Sequence, residues 1–187
     1  MIRRALLAAL LLLVLLAGCE NGSLPPPPPC DSICQDSIAL RGMREMLKLV
    51  FNLTLQGKPV GQQDATVSCP LGGTAHIFGT ATSNAVQGAT EVSLTYVFEQ
   101  CVHLERDEEA RENYALTLTG AFSQQGTIAV QPSATTALLM KSDTVTVTGT
   151  VHAPPIDYRA EGCIANLAQN GNHVSGMFCQ REVGTDL

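Results

Sequence analysis

Cysteine is the residue of this chain best able to do chemistry, and seven are present: Cys19, Cys30, Cys34, Cys69, Cys101, Cys163 and Cys179. A thiolate can attack a substrate, hold a metal or join a second sulfur. No Cys-x-x-Cys pair occurs, and the spacings do not fit a zinc ribbon or finger, so no metal set is nominated. The four histidines, His76, His103, His152 and His173, are scattered. His76 and His173 fall in expected strands and would meet only if those strands pair; without a carboxylate at fixed spacing they read as structural or surface residues. Glu105, Asp107, Glu108, Glu109 and Glu112 form an acidic run that lacks the alternating Asp/Asn and the glycine of a calcium loop. It reads as a solvated loop between two strands. Nothing matches Gly-x-Ser-x-Gly, His-Glu-x-x-His, Ser-x-x-Lys or a phosphate-cradling loop; "CPLGGTAH" has the glycines but neither the lysine nor the helix. The chain is therefore expected to be non-catalytic and to carry no cofactor.

The stretch "LLVLLAGCE", Leu12 to Glu20, bears on compartment. Arg3 and Arg4 supply a positive start, Ala5 to Leu16 are apolar throughout, and the small residues Ala17 and Gly18 precede Cys19. This is the order of an export signal. The apolar run is shorter than the roughly 20 residues a spanning helix needs. Leu16-Ala17-Gly18-Cys19 resembles the lipobox of bacterial lipoproteins, a resemblance confined to residues 1–19. It implies cleavage after residue 18, acyl chains on Cys19 (palmitate among them) and attachment to a membrane without spanning it. Glu20 stands where aspartate commonly retains such proteins in the inner membrane, so the resemblance points to the periplasmic side of the cell envelope and to the outer membrane. Pro25 to Pro29 then read as a polyproline spacer of about 3.1 Å per residue. The organisation is thus a signal peptide over 1–18, a lipidated and proline-rich linker over 19–29, and one globular domain over 30–187.

With Cys19 assigned to lipid, six cysteines remain in an exported domain, which implies disulfides. Turn positions select among the pairings. Asn170-Gly171 lies midway between Cys163 and Cys179, and a hairpin folded there sets those two opposite each other. Ala85, inside the turn-like "TSNAVQG", lies midway between Cys69 and Cys101. Cys30 and Cys34, four apart at an expected helix start, pair locally. The expected bridges are Cys30–Cys34, Cys69–Cys101 and Cys163–Cys179.

The elements that must position these residues are legible from periodicity. Ser32 and Gln35 fit a capping box, followed by an apolar stripe of Ala39, Met43, Met46, Leu47, Val50, Phe51 and Leu53. Ser37, Arg41, Arg44, Glu45, Lys48 and Asn52 fall on the other side, and Gln56-Gly57-Lys58-Pro59 ends the helix. After Pro59 the period becomes two. Val92, Leu94, Tyr96 and Phe98 share one face, as do Tyr114, Leu116, Leu118 and Phe122, and Val145, Val147 and Val151 alternate with Thr144, Thr146, Thr148 and Thr150. Outward threonine is the favoured residue of a wet strand. Turns are expected at Gln124-Gln125-Gly126, Lys141-Ser142-Asp143 and Asn170-Gly171. "IFGTA", "LTGAF", "VTGTV" and "VSGMF" each set a glycine inside a strand, which marks bends or close approaches. The expected fold is α+β and predominantly antiparallel β: one N-terminal amphipathic helix packed on a curved sheet of about six to eight strands, with a β-sandwich or barrel as the alternative.

Composition narrows the partners. Loss of Arg3 and Arg4 leaves 11 − 2 = 9 basic against 17 acidic residues. A surface so acidic repels nucleic-acid phosphate, and the absence of tryptophan removes a stacking platform. Two readings follow. One is a lipid-anchored envelope protein with a structural or partner-binding role. The other is a carrier or sensor of an apolar ligand, with Met43 and Met46 adapting to its shape. Laying the Arg41, Arg44 and Lys48 face on anionic headgroups is a rival placement for the helix, which would leave the sheet's apolar face without cover.

Overall fold

The computed structural model describes residues 29–55, 60–84, 89–106, 112–129 and 136–187. The leader, Cys19 and most of the linker lie outside the described residues, as do the helix stop at 56–59, the middle of "TSNAVQG" and most of the acidic run. A single helix, α1 (Ser32–Leu55), precedes eight strands: β1 (Gly61–Ser68), β2 (Thr74–Asn84), β3 (Ala89–Glu105), β4 (Tyr114–Ala129), β5 (Ala137–Val151), β6 (Ile156–Asn170), β7 (His173–Phe178) and β8 (Arg181–Asp186). Every strand pairs antiparallel with its neighbour in sequence, giving one eight-stranded meander. The sheet is not closed into a barrel and no second sheet faces it among the described residues, so the barrel and sandwich alternatives do not hold.

The helix starts one residue earlier than the capping-box reading placed it. Asp31, not Ser32, is the cap: its Oδ1 accepts a hydrogen bond from the Cys34 N–H at 3.0 Å, and Gln35 Nε2 donates to the Cys30 carbonyl at 3.1 Å. Aspartate wins because an ionised oxygen is the stronger acceptor for the free N–H groups of the first turn. The Cys30–Cys34 disulfide closes over this cap, with the two Cα atoms 5.2 Å apart. Ala39, Met43, Met46, Leu47 and Val50 are buried, but so are Asp36, Ile38, Leu40 and Thr54, while Leu53, expected on the stripe, points to solvent. The covered arc is wider than the stripe because the sheet curls around the helix: α1 touches both edge strands, β1 and β8, and also β2 to β5.

Curvature comes from the glycines that the repeated "xGx" segments singled out. Gly79, Gly120, Gly149 and Gly176 all adopt positive φ, from 122° to 145°. At Gly120 a Cβ would meet the Thr144 carbonyl oxygen at 2.6 Å, and at Gly149 it would overlap the Ala115 carbonyl oxygen. The neighbouring strand's backbone occupies the space where a side chain would begin, so the sheet bends at these points. Register shifts between Phe98 and Cys101, Gly120 and Ser123, and Ser142 and Val145 add bulges that bend and twist the same strands.

Two expected turns are not turns. Gln124-Gln125-Gly126 runs through the middle of β4, and Lys141-Ser142-Asp143 lies within β5 as a bulge. Strand pairing on both sides holds Gln124, Gln125, Gly126 and Lys141, and Ser142 pairs with Ala165, which outweighs local turn propensity. The β6–β7 turn centres on Gly171 and Asn172, one residue later than expected, with Asn170 paired to His173 and positive φ at Gly171. A glycine at the first central position suits a type II′ hairpin turn. Sulfurs pair as Cys69 with Cys101 and Cys163 with Cys179, at Cα separations of 5.5 and 4.7 Å. The former ties the β1–β2 turn to the β3 bulge, and the latter spans the open end of the β6–β7 hairpin. Replacing Gly149 by alanine is expected to lower stability by about 3 kcal/mol, combining positive φ with a backbone overlap. Gly184→Ala, where the nearest atom to a new Cβ is 3.7 Å away, serves as the neutral control in thermal melts.

Candidate functional site

Wrapping a helix forces polar side chains inside, and three groups of them result. The first pins the start of α1. Asp36 is 4% exposed; its Oδ1 accepts from the Tyr158 hydroxyl at 2.8 Å and from Arg181 at 2.8 Å, and its Oδ2 accepts from Arg181 Nε at 2.7 Å. This fork is the bidentate carboxylate–guanidinium geometry. It joins α1 to β6 and β8. Arg181 is half exposed, so water reaches one side of the pair.

A second group lies near the middle of the helix. Arg44 Nε donates to Gln169 Oε1 at 3.0 Å, and the fully buried Gln169 donates in turn to the Gly171 carbonyl at 2.8 Å. The Arg44 side chain is 13% exposed, and its NH1 is sealed from solvent with no hydrogen bond; the Glu45 carboxylate lies 3.6 Å away. Burial pushes the Arg44 guanidinium below its ordinary value, against the opposing pull of Glu45. Arg41, one turn earlier, bonds the Asp186 carbonyl at 3.0 Å and forms an ion pair with Glu112. Arg41 and Arg44 are thus engaged within the domain, which overturns the headgroup placement of this helix face. In the third group, Tyr96 donates to Gln124 Oε1 at 2.6 Å.

Beside the second and third groups is a cavity of about 360 Å³. It lies between the last turns of α1 and strands β3, β4 and β5. Leu47, Phe51, Ile128 and Leu138 form apolar walls, and Arg44, Lys48 and Gln124 bring polar atoms to them. No acidic side chain lines it among the described residues. The volume sits at the small end of ligand pockets, about 300–1,000 Å³. Met43 and Met46, expected to shape a ligand cavity, instead pack in the core.

His76 and His173, read as structural or surface residues that would meet only if their strands paired, do not approach one another. His76 in β2 and His173 in β7 are five strands apart, and each bonds an aspartate on the adjoining edge strand: His76 with Asp64 and His173 with Asp186, both at 2.8 Å. Cross-strand pairing supplies the carboxylates that sequence spacing did not show. His103 lies 5.6 Å from the Tyr114 ring, and burial lowers its pKa. His152 bonds the Pro154 carbonyl at 3.4 Å. Among the described residues, no three His, Cys, Asp or Glu side chains gather as a metal site would require.

Asp36, Gln124 and Gln169 were missed, although each carries a signal. Asp36 stands at i, with Ala39, Leu40 and Met43 at i+3, i+4 and i+7. Gln124 shares the parity of Phe122, and Gln169 that of Leu167. A polar residue in phase with an apolar pattern is the mark of a buried hydrogen-bonding group.

No known family pattern, no curated protein and no solved structure matches this chain.

Two measurements check these interior groups. Arg181→Ala strands the Asp36 carboxylate and is expected to cost about 2–3 kcal/mol, below the roughly 3–5 kcal/mol of a fully buried pair because Arg181 is half exposed. Asp36→Asn combined with Arg181→Ala should cost less than the sum of the single changes in denaturant unfolding. All three tyrosines, Tyr96, Tyr114 and Tyr158, are buried, and burial raises each phenol above its ordinary value. The folded state keeps their protons, whereas the unfolded chain releases them near pH 10. Stability is therefore intact below pH 10 and falls above it, by up to about 4 kcal/mol per pH unit if all three contribute. Phenolate absorbance appearing together with unfolding, rather than before it, is the expected readout.

Proposed function

We propose that this protein is a lipid-anchored envelope lipoprotein, carried on the outer membrane by acyl chains on Cys19, whose domain has a non-catalytic structural or partner-binding role. The observation that carries the reading is the sequence of the leader: Arg3 and Arg4, then the apolar run, then Leu16-Ala17-Gly18-Cys19. Three disulfides support it, because such bonds form and persist outside the reducing cytosol. The interior agrees with a module that presents its outer surface. Its helix packs against the curled sheet, and the outer face of β4 and β5 carries the cross-strand pairs Thr117–Thr148 and Thr119–Thr146. No helix among the described residues is long and apolar enough to cross a membrane; attachment through Cys19 needs none.

A second reading, a carrier or sensor of an apolar ligand, is favoured by one observation: the cavity of about 360 Å³ walled by Leu47, Phe51, Ile128 and Leu138.

Metabolic labelling with palmitate tests the anchor. Label should enter the wild-type protein and be lost in Cys19→Ala, which should leave the membrane fraction on washing. Recovery of unlabelled, full-length precursor from the cytosol with reduced thiols would overturn the proposal.

A further inference from the structure

The geometry points to the α1–β4–β5 cavity as a site for an anionic single-chain amphiphile, a short acyl chain bearing a carboxylate or phosphate head. This rests on the carrier reading and gives it a ligand class and named contacts. Two features of the cavity coincide. Its walls are apolar, with Leu47 and Phe51 from the helix facing Ile128 and Leu138 from the sheet. Its polar end is cationic, with Arg44 and Lys48 one turn apart on the same helix and no acid among the described lining residues.

The charge there runs against the chain as a whole, whose 187 residues carry a formal net charge of −6. Glu45 offsets part of it, lying 3.1 Å from Lys48 Nζ and 3.6 Å from Arg44 NH1. It leaves one cation of the two unmatched. Arg44 Nε is taken by Gln169, and its NH1 is sealed from solvent beside Glu45. Arg44 lines the cavity with its side chain only 13% exposed, and an anion there stabilises a guanidinium held largely out of water. Gln124, already bonded through Oε1 to Tyr96, lines the same cavity and adds a side-chain amide to it. A ligand with an acyl chain and a singly charged head matches both halves. An uncharged lipid matches only the walls, and a small anion matches only the polar end.

Photolabelling of the mature, lipidated protein in its own membrane vesicles tests this. The probes are diazirine-bearing dodecanoate, dodecyl phosphate and the uncharged methyl ester of the first. Either acid should label peptides from α1 and from β4 or β5, at least about tenfold above the ester, as a charge-assisted hydrogen bond requires. The two acids distinguish a carboxylate from a phosphate head. Ala129→Trp, which fills the cavity, should abolish labelling. Arg44→Gln should remove the preference for acid over ester, and Arg44→Lys should retain much of it. Should Arg44→Gln fail to fold, Lys48→Glu, a change at a half-exposed site, should still reduce labelling by the acids. Equal labelling of the lining by acid and ester would overturn the anionic ligand and leave the carrier reading standing. Absence of lining label from every probe, or label undiminished in Ala129→Trp, would overturn both.

Discussion

A carbonyl oxygen lying where a side chain would begin is the constraint on which this fold depends. At Gly120 and Gly149 the adjoining strand approaches so closely that only hydrogen can occupy the Cα's fourth position. The strands bend there, and the meander curls far enough for both its edges to touch one helix. Without that bend an eight-stranded sheet would present a broad apolar face that a single helix cannot cover. The bend therefore links the backbone conformation of a few residues to the burial of Tyr96, Phe98, Phe122 and Phe178.

Enclosure has a chemical consequence. A helix laid on a flat sheet keeps its whole polar side in water, but one flanked by both edges of a curled sheet keeps only part of it there, with Lys48 and Asn52 exposed. Asp36, Arg41 and Arg44 are drawn against β6, β8 and the chain beside them, and each must find a partner or bear a desolvation cost. Asp36 is fully provided for by Tyr158 and Arg181. Arg44 is provided for only in part. The difference separates a structural pin at the start of the helix from a partly satisfied cation near its middle that borders a cavity. The disulfides add covalent limits to the same architecture: chain-entropy reasoning gives about 4 kcal/mol for the Cys69–Cys101 loop, about 3 for Cys163–Cys179 and about 2 for Cys30–Cys34.

Legibility followed range. The alternation of Val92, Leu94, Tyr96 and Phe98 gave a face that the structure buries as expected, because period two is a property of the strand itself. The Lys141-Ser142-Asp143 segment misled because turn residues also suit a bulge, and only the pairing of β5 with β4 and β6 decides between them. His76 and His173 lie at the surface, as read, but their carboxylate partners were not legible, because they lie 12 and 13 residues away, across a hairpin.

Local chemistry, then, was determined by the sequence alone: an amphipathic helix, alternating strands, glycines at bends and cysteines spaced about hairpin turns. These depend on neighbours within a few residues or on the midpoint of a single loop. Tertiary structure decided what lies inside the curl: that Asp36 meets Arg181 from 145 residues away, that Arg44 meets Gln169 from 125 residues away, and that Arg44 and Lys48 border an apolar cavity. Such contacts are set by how far the sheet bends before its edges reach the helix, a sum over many strand pairings that no short stretch of chain contains.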